Sequence, residues 1–185
     1  EIVQAVTKNL LGSITNVNVG LMEFNLEDGG VIKHAIKDLD SSRDEATNIV
    51  NNLEAEGWTP LSESIYESAL YWQGLNADYG SIEETDSDAT ESYDPMIYKR
   101  PPAYACAKNY NVILTDGAPS RDTGVYEKVN TLPGWSSIIG QNNCSGENTD
   151  GACLDDISLY LSLHDIDPNT QGNQSSQGLR CLLCI

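Results

Sequence analysis

Thr59 and Asp116 are the residues of this chain whose settings give them chemistry to do. Asp116 follows "YNVILT" (110–115), in which Val112, Ile113 and Leu114 run straight toward a carboxylate and then Gly117. Such an apolar run reads as a buried strand, and in an α/β sheet ligands gather where loops leave the carboxyl ends of strands. Gly117 lets the backbone swing away without shielding the carboxylate. Thr59, in "GWTPL" (57–61), brings a hydroxyl on a second loop. A carboxylate and a hydroxyl are hard oxygen donors, the kind that Mg²⁺, Ca²⁺ or Mn²⁺ accept.

Other groups compete for attention. Glu83, Glu84, Asp86 and Asp88 lie in "EETDSDATESYD" (83–94), a second and looser candidate for holding calcium, set against plain solvation of the acids. Cys144 and Cys153 bracket a polar loop and are candidates for a small disulfide ring. Cys181-Leu-Leu-Cys184 has no second CxxC and no nearby histidine, which argues against zinc or thioredoxin-like chemistry. Five cysteines leave at least one thiol free or paired between chains, and favour an oxidising compartment. His34, flanked by Lys33 and Lys37, reads as an exposed edge residue. His164 falls near a helix C-terminus, where partial positive charge is favourable without catalysis. There is no GxSxG elbow and no Gly-rich phosphate loop, and the adjacent Asp155 and Asp156 do not face one another as an acid pair. No enzyme is expected.

The elements that must position these residues follow from periodicity. Apolar residues recur at helical spacing over 1–14, and "VNVGLMEFN" (17–25) is a nearly continuous apolar strand. "EDGG" (27–30) signals a turn into a second, more exposed strand over 31–39. Ser41 and Ser42 are N-cap candidates for a helix lined by Ala46, Ile49, Val50 and Leu53, stopping near Gly57. Leu61, Ile65, Ala69 and Trp72 mark another helix after Pro60, and "CLDDISLYLSLHDID" (153–167) a last one. Residues 78–95 read as a mobile acidic surface insertion, and 118–153 as a long Gly/Asn/Ser-rich loop. The expectation is one α/β domain over 1–185, with a mostly parallel sheet flanked by helices.

Charge narrows the partners. Twenty-eight acidic against ten basic residues give a net charge of −18, a surface that repels nucleic acid and anionic membrane. No apolar run approaches the roughly 18 residues of a membrane span.

In order, "VNVGLMEFN…GG", "GWTPLSESIYESALYW", "CAKNYNVILTDGAPS" and "CLDDISLYLSLHDIDP" resemble the von Willebrand factor type A domain. They are similar above all to the A domain at the front of PilY/PilC-type proteins, the tip-associated adhesins of type IV pili. The resemblance covers about residues 1–170. It implies a Rossmann-like open sheet and a metal-ion-dependent adhesion site, with Thr59 and Asp116 as ligands to Mg²⁺ or Ca²⁺. An acidic group on a host or surface protein would complete the coordination. It also implies pilus components as partners and an extracellular, pilus-associated location. The family's DxSxS loop and the central first strand before it are absent from this sequence, and "SSQGLRCLLCI" (175–185) departs from the family's next strand. The expected gap lies mid-sheet, between "VNVGLMEF" and "YNVILT". Unpaired buried strand edges are costly, so the apolar tail, a neighbouring molecule or a rearranged sheet must fill it. The alternative function is accordingly a self-associating structural fragment, strand-swapped or oligomeric.

Overall fold

The computed structural model describes residues 2–54, 56–104, 108–115, 117–140, 144 and 149–169, and the backbone of 180–184. In chain order the elements are α1 (Ile2–Ser13), β1 (Asn18–Phe24), β2 (Gly30–Asp38), α2 (Leu39–Asn51) and α3 (Leu61–Gln73). There follow β3 (Thr90–Tyr93), β4 (Met96–Tyr98), β5 (Tyr110–Ile113), α4 (Trp135–Ile138), α5 (Leu154–Leu163) and β6 (Arg180–Cys184). The architecture is mixed α/β. The main sheet runs β2-β1-β6-β5, with β2 antiparallel to β1 and the other three strands mutually parallel. The position between β1 and β5 is therefore occupied, and by the chain's own tail.

Each face of the sheet carries its own core. Leu11 of α1, Val19 and Leu21 of β1, and Leu39, Ala46 and Val50 of α2 cluster on one side. Met22, Ile32 and Ile36 pack on the other against Ile65, Ala69 and Trp72 of α3 and Ile157, Tyr160 and Leu161 of α5. Helix α2 starts earlier than its apolar stripe, because Asp38 rather than Ser41 or Ser42 is its cap and accepts the Ser41 N–H at 3.0 Å.

The hairpin is irregular. Leu21 lies opposite His34, yet Val19 lies opposite Lys37 and Met22 opposite Ile32, so β2 carries extra residues on both sides of His34. Gly20 permits this, since a Cβ there would sit 2.7 Å from Ile36 Cγ1 and 3.0 Å from the His34 carbonyl oxygen. The displaced N–H groups find other acceptors. Ile36 donates to the Tyr71 hydroxyl at 2.8 Å and Ala35 to Asp86 Oδ2 at 2.8 Å. The strand is largely buried, against the expectation of an exposed one, because α2 and α3 cover its two faces.

Every residue of α3 is buried, Glu63 and Glu67 included. A charge in that position needs donors all round it. Glu67 receives the N–H groups of Asp78, Tyr79 and Gly80 at 3.0–3.3 Å and the Tyr98 hydroxyl at 2.6 Å. That anchors the acidic insertion, which is also held by the β3-β4 hairpin and by Asp86 N–H to the Ile32 carbonyl at 2.8 Å. The insertion is thus tied to the fold by specific contacts, where its composition alone suggests a loose surface segment. The long loop 118–153 likewise contains α4 and a 3₁₀ turn at 129–131. Glu67→Gln keeps the shape but turns an amide N–H₂ toward donors. It should cost about 2–3 kcal/mol in urea unfolding, more than Tyr98→Phe, which removes one donor.

Candidate functional site

Strands β1, β6 and β5 are parallel, so their carboxyl ends, Phe24, Cys184 and Ile113, share one edge of the sheet. Three loops are knitted together above it. The turn after β1 closes through the Asn25 N–H to the Gly29 carbonyl at 2.9 Å, and its Leu26 carbonyl accepts the Trp58 N–H at 2.8 Å. Thr59 then bridges to Ser120, its carbonyl accepting the Ser120 N–H at 3.1 Å and its N–H donating to Ser120 Oγ at 3.2 Å. Gly57 holds a left-handed φ of 85°, where a Cβ would meet the Leu26 backbone. Only glycine lets the chain pass so close.

Two carboxylates brace this rim from below. Asp122 accepts the N–H groups of Ser62 at 2.7 Å and Glu63 at 3.0 Å, capping α3 from sixty residues away because its N-cap, Pro60, has no side chain to offer. Glu63 accepts the N–H groups of Gly29 and Gly124, both at 2.8 Å, and so ties the loop after β1 to the loop beyond Ser120. Burial raises the carboxyl pKa of both, against the opposing pull of these backbone donors. At the surface, the Arg121 guanidinium stacks 4.4 Å over the half-exposed Trp58 ring and pairs with Glu27 at 3.3 Å.

The sequence-derived candidates fall out unequally. Thr59 stands on the rim, half-buried, beside Ser120, while Asp116 lies outside the described residues. Cys144 and Cys153 form the expected disulfide, and the Cys144 N–H is held by Asp156 at 2.6 Å. Glu83 and Glu84 are exposed. Asp86 spends an oxygen on each of two N–H groups, those of Ala35 and Asp88, and Asp88 pairs with Lys37 at 3.1 Å. Within the acidic tract Asp86 thus acts as a cap and Asp88 as an ion-pair partner. His34 is not an exposed edge residue. It is fully buried beneath α2, because the register shifts in β2 turn it to that side. Glu63 and Asp122 escape sequence reasoning. The first reads as an ordinary first-turn acid and the second as one more polar loop residue.

A divalent cation at the rim is only partly provided for by the described residues. They supply Thr59, with Ser120 beside it. The carboxylates Glu63 and Asp122 are buried below the rim, where they accept backbone N–H groups, and Glu27 pairs with Arg121 at the surface. Among the described residues, the one group of three His, Cys, Asp or Glu donors within reach of one another is His34, Glu45 and Asp86, on the β2 side of the sheet. Among the described residues no helix is long and apolar enough to cross a membrane.

No family model, no curated protein and no solved structure matches this chain.

The raised carboxyls carry a pH dependence whose sign can be worked out. Between the unfolded and the folded pKa the folded state holds protons that the unfolded chain has released. Stability is then fully present below the unfolded value and is lost as pH rises through the folded one. The part of the pH dependence of the urea midpoint that comes from Asp122, a gain on the acid side of its folded pKa, should be lost in Asp122→Asn.

Proposed function

We propose that this chain is an adhesive binding module of the von Willebrand A type, engaging its partner on the loop rim over the carboxyl ends of β1, β6 and β5. The observation that supports this most is the Thr59–Ser120 bridge. It joins the two loops from which the A-type resemblance draws a threonine and an aspartate. Two further features agree with the reading. Helices cover both faces of the sheet, and β6 runs parallel between β1 and β5, where the A-type order has its first strand.

The mechanism is metal-assisted capture. Thr59 and Asp116 would hold the cation, which supplies an open coordination position for an acidic group on the partner. The chain's own work is to fix the loops: Glu63 and Asp122 do so with buried backbone hydrogen bonds, leaving little for binding to order. Arg121, on the same rim, adds attraction for an acidic surface. An extracellular, pilus-associated setting is part of the proposal, and the Cys144–Cys153 bridge is in keeping with an oxidising compartment. The alternative, self-association, would need a driving force other than unpaired mid-sheet edges, which β6 fills here.

Calorimetric titration of Mg²⁺, Ca²⁺ and Mn²⁺ into chelator-treated protein, with Asp116→Ala and Thr59→Ala alongside, tests the proposal. One saturable site, weakened about tenfold or more in both variants, is the expected result. No saturable binding, or binding indifferent to both changes, overturns metal-assisted capture.

A further inference from the structure

Beneath α2 a short hydrogen-bond chain fixes which nitrogen of a buried histidine carries its proton. Ser42 Oγ lies 2.8 Å from the Asp38 carbonyl oxygen and 3.2 Å from His34 Nε2. A carbonyl can only accept, so the single Ser42 proton points to Asp38. The Ser42 oxygen must then receive a proton from Nε2, and in the neutral ring Nδ1 is left with a bare lone pair. Nδ1 is itself buried and has no hydrogen-bond partner. What faces it, at 3.5 Å, is Glu45 Oε1, another acceptor. Asp86 adds a third, and the three donor atoms all lie within 4.8 Å of one another. A buried nitrogen lone pair turned on a carboxylate oxygen is repelled unless a cation stands between them.

We propose that His34 Nδ1, Glu45 and Asp86 form a binding site for a transition-metal dication of the zinc class. Imidazole nitrogen with two carboxylates suits zinc or cobalt, whereas magnesium and calcium prefer oxygen alone. Bonds of 2.0–2.1 Å at tetrahedral angles set donors about 3.3 Å apart. The His34–Glu45 separation already meets that. Glu45 is half exposed and free to adjust, and the fourth position falls to water or to Asp88. The supporting shell is in place. Ser42 orients the ring, and the Ala35 and Asp88 N–H groups orient the Asp86 carboxylate. Burial first, and the Lys37 ammonium after it, push the His34 pKa below its ordinary value, against the carboxylates of Glu45 and Asp86. A neutral ring is the ligating form.

Lys37 is the built-in competitor. Its ammonium stands 3.0 Å from Glu45, 3.1 Å from Asp88 and 4.0 Å from Asp86, and so neutralises the carboxylates when no metal is bound. It is partly exposed on a flexible stem and can swing out to solvent. A surface cluster of acids would bind any dication weakly. This one has a buried nitrogen at its base and a lysine that must leave.

The test is competition for Zn²⁺ between the metal-free protein and a chromophoric chelator, repeated with Co²⁺ for its visible absorption. His34→Gln disturbs a fully buried side chain and so confounds folding with binding; the half-exposed Glu45 and the partly exposed Lys37 carry the experiment. One equivalent of Zn²⁺ is expected, with affinity falling about tenfold or more in Glu45→Gln and rising several-fold in Lys37→Gln. Excess Mg²⁺ should not displace it. Zinc affinity unchanged in both variants overturns the proposal. So does a loss that follows Cys181→Ser with Cys184→Ser, which would put the ion on the tail thiols, or Asp116→Ala, which would put it on the rim. No Zn²⁺ binding even in Lys37→Gln overturns it outright.

Discussion

The fold is organised around carboxylates that are out of reach of water. Helix α3 is buried along its whole length and brings Glu63 and Glu67 with it, while Asp122 caps its first turn from a distant loop. An ionised carboxylate in such a place is tolerable only if N–H and O–H donors surround it. The donors come from Gly29, Gly124, the 78–80 turn and Tyr98, four separate stretches of chain. Satisfying the charge and folding the loops are one event. The long polar segments of this sequence, which have little apolar surface of their own to bury, are ordered by that requirement.

The rim inherits its geometry from the same source. Glu63 holds the loop after β1 against the loop beyond Ser120, and the Thr59 bridge closes the third side. Parallel strands deliver the loops to one edge, and backbone hydrogen bonds fix their spacing. The outer layer of Trp58, Arg121 and Glu27 rests on this base.

On the β2 side of the sheet a different constraint operates. Gly20 leaves room for β2 to carry extra residues, and the register shifts turn His34 under α2. The acidic insertion then docks against the displaced N–H of Ala35 through Asp86. A bulge, a buried imidazole and an ion-pair cluster thereby share one cause.

The sequence by itself determined the elements with a clear period. The helices at 2–13 and 61–73, the strand at 18–24 and the last helix are legible because an apolar stripe at 3.6 residues, or an unbroken apolar run, leaves the chain one way to bury it. The Cys144–Cys153 pair was legible too, since a short ring needs only proximity along the chain. Tertiary structure decided the rest. That the tail pairs between β1 and β5 depends on a slot formed by strands some ninety residues apart. That Glu63, Glu67 and Asp122 are interior groups depends on donors with no sequence signature, being backbone N–H groups that every residue but proline carries. His34 reads as exposed because Lys33 and Lys37 lie near it, but β2, though an edge strand, carries register shifts that turn His34 under α2, and an extra residue in a strand reverses the side on which the next residues fall.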